Sequence, residues 1–175
     1  VTSALCLMKT YANFFEWPDK QGKELGVVEK LLEALDVGWH SPQVQVPDPP
    51  DCVCLNAAGE RIGVEVAEVV CPEAAARTAR GEGVVRLWAP GEVTEHVRTL
   101  LSKKDTRNYV GGPYSSLVAC LFTDEFDLIF EEVRAELANV QFGPMRQLTG
   151  AYMLFSYDGH TGRYPVLELN VRHEA

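Results

Sequence analysis

Apolar residues recur at helical spacing in three segments of the chain and form strand-like runs in five others. The helical segments are 19–36, 92–105 and 124–140, and the first has Asp19 placed to cap its N-terminus. The strand-like runs are 51–56, 60–70, 115–123, 151–158 and 164–171. This order predicts an α/β fold in which helices pack on a mixed central β-sheet.

Two further segments are predicted to be connections. Residues 37–50 contain four prolines and predict a surface connection, while the Ala-, Gly-, Arg- and Glu-rich stretch 72–91 predicts a loop. In segment 124–140 the helical spacing predicts one buried face. The apolar residues of that face are Phe126, Ile129, Phe130, Val133 and Leu137.

Composition limits the class of protein. With 175 residues, 46% of them apolar and 23% charged, the chain predicts one globular domain over 1–175. No stretch of about 18 residues is apolar and uncharged, so no membrane span is predicted. The segment VTSALCLMKTYANFF lacks a basic start and is not predicted to be a signal peptide. Five cysteines, an odd number set mostly in apolar runs, favour reduced thiols and a cytoplasmic location.

The charge of the chain is acidic overall but uneven. The formal net charge is −9, whereas residues 72–110 carry seven basic and five acidic side chains, a net of +2. An acidic chain is not built for non-specific binding to nucleic acid. The middle segment therefore offers either a local basic face or scattered solvated charges.

Glu65 stands out because it lies inside an apolar strand, where an unpaired carboxylate is costly. The preceding turn, Ala57-Ala58-Gly59, fits a three-residue hairpin loop that ends in a left-handed glycine. That loop pairs residues whose numbers sum to 116, which sets Asp51 directly opposite Glu65. Two carboxylates so close require a cation between them or a shared proton.

Two interpretations of this pair remain open. A divalent metal is one, since hard cations bind carboxylate oxygens, and Glu24 on the apolar face of the first helix would then be a third acid. In the other, a two-residue loop shifts the register by one. Asp51 then only begins a strand, Glu65 pairs with Arg61 or another arginine, and Glu24 is an acid favoured by the helix dipole.

In these residues the chain resembles the PD-(D/E)xK phosphodiesterase superfamily, which has the restriction-endonuclease-like fold. The matching motifs are KELGVVEKLLEAL with Glu24, Pro50-Asp51, and IGVEVAE with Glu65. The resemblance implies a nuclease-like core over about residues 20–123 and a C-terminal helix plus β-hairpin addition over about 124–172. It also implies nucleic acid as the substrate and Mg²⁺ or Mn²⁺ held by Asp51, Glu65 and Glu24, with the Val66 carbonyl completing the shell.

The chain departs from the family pattern at one position. The family's lysine, two residues after the second acid, is replaced by Ala67. Three explanations are open: Lys103 or Lys104 on the next helix supplies the amino group, Glu68 substitutes, or catalysis is lost. Strand alternation places Glu68 on the opposite face from Glu65, which disfavours the second.

The sequence thus predicts either a metal-dependent nuclease, with catalytic residues Glu24, Asp51, Glu65 and Lys103 or Lys104, or an inactive nuclease-fold binding module. The four histidines are scattered, and no serine or cysteine lies in a nucleophile-elbow motif. The aromatic residues of the last two strands favour either a sheet edge or a homodimer contact.

Overall fold

The computed structural model describes residues 19–174, apart from 72, 75, 77–79 and 82–86. The predicted loop 72–91 therefore falls partly outside the described residues, and the predicted absence of a signal peptide concerns residues wholly outside them. The helices with described bounds are α1 (Lys20–Ala34), α2 (Glu92–Asp105) and α3 (Phe130–Leu137). The strands are β1 (His40–Val44), β2 (Cys52–Leu55), β3 (Arg61–Glu68), β4 (Ser116–Thr123), β5 (Phe142–Met145), β6 (Gly150–Phe155), β7 (Val166–Leu169) and β8 (Val171–His173).

The centre of the fold is a mixed six-stranded sheet with the order β1-β2-β3-β4-β6-β7. Strands β3, β4 and β6 run parallel to one another, and the remaining pairs are antiparallel. Strands β5 and β8 form a separate parallel pair. The predicted α/β class with a mixed sheet and flanking helices is confirmed. None of the described helices is long and apolar enough to cross a membrane.

Helices cover both faces of the large sheet. Val27, Val28 and Leu31 of α1 pack on one face, where they join buried residues of β2, β3 and β4. On the other face, Val97 and Leu101 of α2 pack with α3 and the β5–β8 pair. Burial on both sides explains why the central strand β4 is an almost continuous apolar run.

The prediction of a surface connection at 37–50 was wrong in part, because β1 lies within it. This strand is mostly exposed, forms one edge of the sheet and has an irregular register against β2 between His40 and Gln43. An edge strand tolerates Pro42, since one side of its backbone needs no partner. The prediction from proline content alone therefore missed strand β1.

The predicted helix over 124–140 begins later than expected, at Phe130. The residues before it form a turn, with the Leu128 N–H donating to the Glu125 carbonyl. The Asp127 carboxylate accepts the backbone N–H of Trp88, a contact with a distant part of the chain that holds this turn outside the helix. Phe126 and Ile129, predicted to be on the buried helix face, are exposed instead.

The C-terminal strands also differ in part from the prediction. The antiparallel hairpin of β6 and β7 is confirmed. The second predicted strand is divided after Leu169, however: β7 forms the other edge of the large sheet, and β8 pairs with β5, a strand that was not predicted.

The predicted hairpin register is confirmed. Cys52 pairs with Val64 and Leu55 with Arg61, so that paired numbers sum to 116. Gly59 is left-handed with φ of 80°, and its N–H donates to the Asn56 carbonyl. The alternative two-residue loop is thereby excluded, and the same register carried one residue beyond Cys52–Val64, where the ladder ends, brings Asp51 beside Glu65.

Gly59→Ala should lower the free energy of unfolding by about 1 kcal/mol, because a side chain in the left-handed region is strained. A Cβ added at Gly59 would meet no atom within 4 Å, so backbone strain alone is expected. Gly159→Ala is a matched control, since that site is equally open and lacks a positive φ. Equal effects of the two substitutions in urea denaturation would contradict a turn that depends on Gly59.

Candidate functional site

Asp51 lies where the ladder between β2 and β3 ends. The last paired residues are Cys52 and Val64, and the Asp51 carboxylate then takes the place of a strand partner. Its Oδ2 atom accepts the buried Val66 N–H at 2.8 Å. The N–H and C=O of one strand residue point to the same neighbouring strand, so the Val66 carbonyl faces the Asp51 side as well.

Glu65 is almost fully buried, with 1% of its surface exposed, and two cations compensate its charge. The Lys104 ammonium lies 2.5 Å from Glu65 Oε2 and 3.2 Å from Asp51 Oδ2. Arg107 Nη1 lies 3.0 and 3.2 Å from the two Glu65 oxygens and 3.7 Å from Asp51 Oδ1. The cation required between the paired acids is therefore supplied by the chain itself.

The end of α2 delivers Lys104 to the acids. Lysines in the last turn are favoured by the negative end of the helix dipole, and Tyr109 Oη donates to the Lys104 carbonyl at 2.8 Å. The Lys104 side chain is 12% exposed. Lys103 is exposed and, in the described part of the chain, forms no ion pair with Glu24, Asp51 or Glu65. Of the two lysines predicted, the structure brings Lys104 into the cluster.

A buried aspartate holds the end of α2 against the loop between β5 and β6. Asp105 accepts the backbone N–H groups of Arg146, Gln147 and Leu148 at 2.8 to 2.9 Å. Burial opposes its ionisation, but these three donors outweigh burial and lower the pKa of Asp105. The Gln147 side chain also donates to the carbonyls of Asp105 and Arg107. The backbone that presents the two cations is therefore fixed from both sides.

Glu24 reaches the cluster from the first turns of α1, on the opposite side of the sheet. It is 9% exposed, and its Oε1 lies 3.0 Å from the Lys20 ammonium. Lys20 also lies 3.8 Å from Asp51 Oδ1 and 3.5 Å from Asp48. The three predicted acids thus lie in one cluster, although Glu24 is joined to Asp51 through Lys20 rather than through Lys104.

Burial shifts Glu65 and Glu24 toward protonation. It raises the pKa of Glu65, and the hydrogen bond and charge of Lys104 partly oppose that shift. Burial likewise raises the pKa of Glu24; its hydrogen bond to Lys20 opposes this, and the negative charge of Asp51 adds to it. An interior carboxylate with a raised pKa can exchange a proton more readily near neutral pH than an exposed one.

Two members of the cluster were not predicted as site residues. Arg107 was noted only as part of the basic middle segment, and Lys20 was not singled out. The spacing of four residues between Lys20 and Glu24 was an available signal, since such side chains are neighbours on a helix. Arg107 had no comparable signal, because its position depends on how the loop after α2 folds back over β3.

The donor set suits one hard cation. Asp51 and Glu65 share two bridging nitrogens, Lys104 Nζ and Arg107 Nη1, so their oxygens already converge on positions that a cation occupies. Carboxylate and carbonyl oxygens are the ligands that Mg²⁺ prefers, and this ion often takes only one or two carboxylates from a protein. Among the described residues, no group of three or more His, Cys, Asp or Glu side chains is arranged to hold a metal.

Other side chains near the cluster, including Glu68 and Ala67, have structural contacts. Trp39 packs edge-on against Tyr152 with ring centroids 6.1 Å apart, and Tyr109 is held by its bond to Lys104. Glu68 pairs with Lys23 of α1 at 2.8 Å. Ala67, on the same face of β3 as Glu65, packs into the apolar cluster beneath α2.

Comparisons with known proteins leave the site to be interpreted from its own geometry. No protein-family model matches the chain, and no curated protein or solved structure matches it.

Lys104→Met should lower the free energy of unfolding by about 3 kcal/mol at neutral pH, because it leaves two buried carboxylates with one fewer cation. Lys103→Met removes the same charge one residue away on the exposed face and should change stability by no more than about 0.5 kcal/mol. Urea denaturation of both variants measures the difference. Equal losses would show that the contacts of Lys104 with the acids do not stabilise the fold.

Lys104→Met should also raise the pKa of Glu65 further, since it removes the stronger of the two cations, Lys104 and Arg107, that oppose the effect of burial. When the pKa of Glu65 is higher in the folded than in the unfolded chain, protonated Glu65 favours the folded state and ionised Glu65 opposes it. Stability from this group is therefore complete below the ordinary glutamate pKa of about 4.3 and is lost as pH rises through the native value. Carboxyl ¹³C NMR titration of wild type, Lys104→Met and Lys103→Met tests this. An unchanged Glu65 titration in Lys104→Met would contradict it.

Proposed function

We propose that the protein is a metal-dependent phosphodiesterase that cleaves nucleic acid. One observation carries this proposal: the Lys104 ammonium contacts both Asp51 and Glu65. In the family that the chain resembles, a lysine two residues after the second acid helps to activate the attacking water. Lys104 supplies that amino group from α2, which compensates for Ala67 on the strand.

The proposed metal ligands are the carboxylates of Asp51 and Glu65, together with the Val66 carbonyl that faces the same side. Water and substrate phosphate complete the shell of an ion such as Mg²⁺ or Mn²⁺. A bound ion of this kind lowers the pKa of a water and neutralises negative charge on the phosphate. Glu24 supports the assignment because its buried carboxylate belongs to the same cluster.

Each side chain has a distinct task in this proposal. Lys104 donates a hydrogen bond to the attacking water or to the phosphate oxygen on which charge develops. Glu24, with its raised pKa, orients a water and accepts its proton. Burial of Asp51 and Glu65, at 2% and 1% exposure, keeps their carboxylates in a fixed geometry and strengthens their charge interactions.

A second candidate function is a nucleic-acid or protein binding module that keeps the fold without catalysis. Lys104 and Arg107 already neutralise the paired acids, and Ala67 replaces the motif lysine; both observations favour this candidate. A purely structural ion-pair cluster needs no metal. The two candidates therefore differ in whether the site binds a divalent ion and whether a phosphodiester is cleaved.

Lys104→Gln should reduce Mn²⁺-dependent cleavage at least about 100-fold while Mn²⁺ binding is retained, because the variant loses transition-state stabilisation and keeps the ligands. Asp51→Asn should lose both binding and cleavage, and Lys103→Gln should retain both. Calorimetric titration with Mn²⁺ measures binding. Plasmid DNA, single-stranded DNA and single-stranded RNA serve as substrates, and circular dichroism verifies that each variant is folded.

The outcomes separate the candidates. Binding and cleavage that are both lost in Asp51→Asn support the nuclease. Mn²⁺ binding without cleavage of any substrate supports the inactive module, and a wild-type protein that neither binds Mn²⁺ nor cleaves would refute the metal site. Full cleavage by Lys104→Gln would show that Lys104 does not replace the motif lysine.

A further inference from the structure

Arg107 contacts the paired acids from the solvent side. Its side chain is 38% exposed, against 12% for Lys104, yet its Nη1 lies within hydrogen-bond distance of both Glu65 oxygens and 3.7 Å from Asp51 Oδ1. Both Glu65 oxygens, which would be the ligands of an ion, are therefore in contact with one guanidinium nitrogen. The family resemblance described in the sequence analysis does not assign a role to Arg107.

The backbone of Arg107 is held even though its side chain is partly exposed. Its N–H donates to the Lys104 carbonyl, and its carbonyl accepts the Gln147 side chain at 2.8 Å. Gln147 is itself held by the carboxylate and carbonyl of Asp105. Rotation of the Arg107 side chain can therefore move its charge while the loop stays in place.

A divalent ion and this guanidinium compete for the same oxygens. Lys104 and Arg107 already contact Glu65, and a divalent ion would add a third positive group that repels both of them in a site partly shielded from water. The Lys104 side chain is deeply buried, so a metal that displaced it from the acids would leave its ammonium group buried without a partner. The Arg107 side chain is closer to solvent, so water can replace its contacts with the acids when it moves away. Arg107 is therefore the cation that a metal displaces.

A displaced Arg107 remains next to the place where a substrate phosphate must lie. The guanidinium group presents paired N–H donors that match phosphate oxygens, and it keeps its charge at any physiological pH. Its held backbone limits the side chain to the neighbourhood of Asp51 and Glu65. The displaced Arg107 guanidinium can thus bind the substrate phosphate that lies next to the metal.

We infer that Arg107 is an exchangeable counter-ion: it neutralises Asp51 and Glu65 before metal binds, and on metal binding it turns to the phosphate of the substrate. This inference rests on the proposed metal site. It adds a role that the proposed function does not require. Arg107 lowers the affinity of the site for metal in the absence of substrate, and its positive charge then binds the substrate phosphate.

The test is calorimetric titration with Mn²⁺ of wild type, Arg107→Gln, Arg107→Lys and Lys103→Gln. Arg107→Gln should bind Mn²⁺ about tenfold more tightly than wild type, which corresponds to about 1.4 kcal/mol. Lys103→Gln removes one nearby positive charge without a contact to the acids, so it measures the effect of net charge alone. Arg107→Lys should fall between wild type and Arg107→Gln.

The phosphate contact is tested with a single-stranded phosphorothioate oligonucleotide in the presence of saturating Mn²⁺. Arg107→Gln should bind it about tenfold more weakly than Lys103→Gln does. In wild-type protein, titration with Mg²⁺ should also shift the Arg107 Nε–Hε NMR resonance toward that of a guanidinium without a carboxylate partner. This second measurement requires no substitution and stands even if Arg107→Gln fails to fold.

The results distinguish this inference from the proposed function. Wild-type binding of Mn²⁺ with no gain in Arg107→Gln over Lys103→Gln, or an Arg107 resonance that Mg²⁺ leaves unchanged, would overturn the inference and leave the metal site intact. Binding by Arg107→Gln but not by wild type would support it. Absence of binding in both proteins would overturn the metal site and the inference together.

Discussion

The burial of Glu65 in the middle of an apolar sheet constrains the rest of this structure. An ionised carboxylate there is costly by several kcal/mol unless charges and hydrogen bonds compensate it. Its partners come from distant parts of the chain: Lys104 from the end of α2 and Arg107 from the following loop. Helix α2 must therefore pack on this face of the sheet with its C-terminal end at β3, and not elsewhere along the strand.

The supporting contacts are arranged around that requirement. Asp105, next to Lys104, holds the end of α2 through three backbone N–H groups from the loop between β5 and β6. Gln147 from the same loop holds the Arg107 carbonyl. The C-terminal part of the chain, which contributes no acid to the cluster, thus fixes the position of the cations that the acids need. Buried charges whose partners are this well fixed are typical of functional sites as well as of structural networks.

The same geometry is compatible with catalysis because the charge compensation is provided by two side chains, Lys104 and Arg107, whose backbone is held by hydrogen bonds. A lysine and an arginine can neutralise two acids in one state and contact water or phosphate in another. The acids contribute oxygen ligands in both states. Under the proposed function, one cluster would serve both the stability of the fold and phosphodiester cleavage, with a divalent ion replacing part of the internal charge.

Much of the cluster could be predicted from the sequence, because it depends on local rules. Strand pairing follows from the length of the turn at Gly59, which placed Asp51 opposite Glu65. Helical spacing and the N-capping residue Asp19 predicted helix α1, and the same spacing placed Glu24 on its apolar face. The strand β1 and the late start of α3 were missed because an edge position tolerates Pro42 and because Asp127 bonds the Trp88 backbone, and neither effect is local in sequence.

The sequence by itself predicted the class of fold and, in one of two possible registers, the two facing acids and their need for a cation or a shared proton, since turn geometry, periodicity and the cost of a buried charge act over a few residues. Only the tertiary structure decided which cations meet that need. Lys103 and Lys104 are adjacent and chemically identical, and the packing face of α2 alone sends one to solvent and the other to Glu65. Arg107 reaches the acids only because the loop after α2 folds back over the sheet, a contact between residues 42 positions apart.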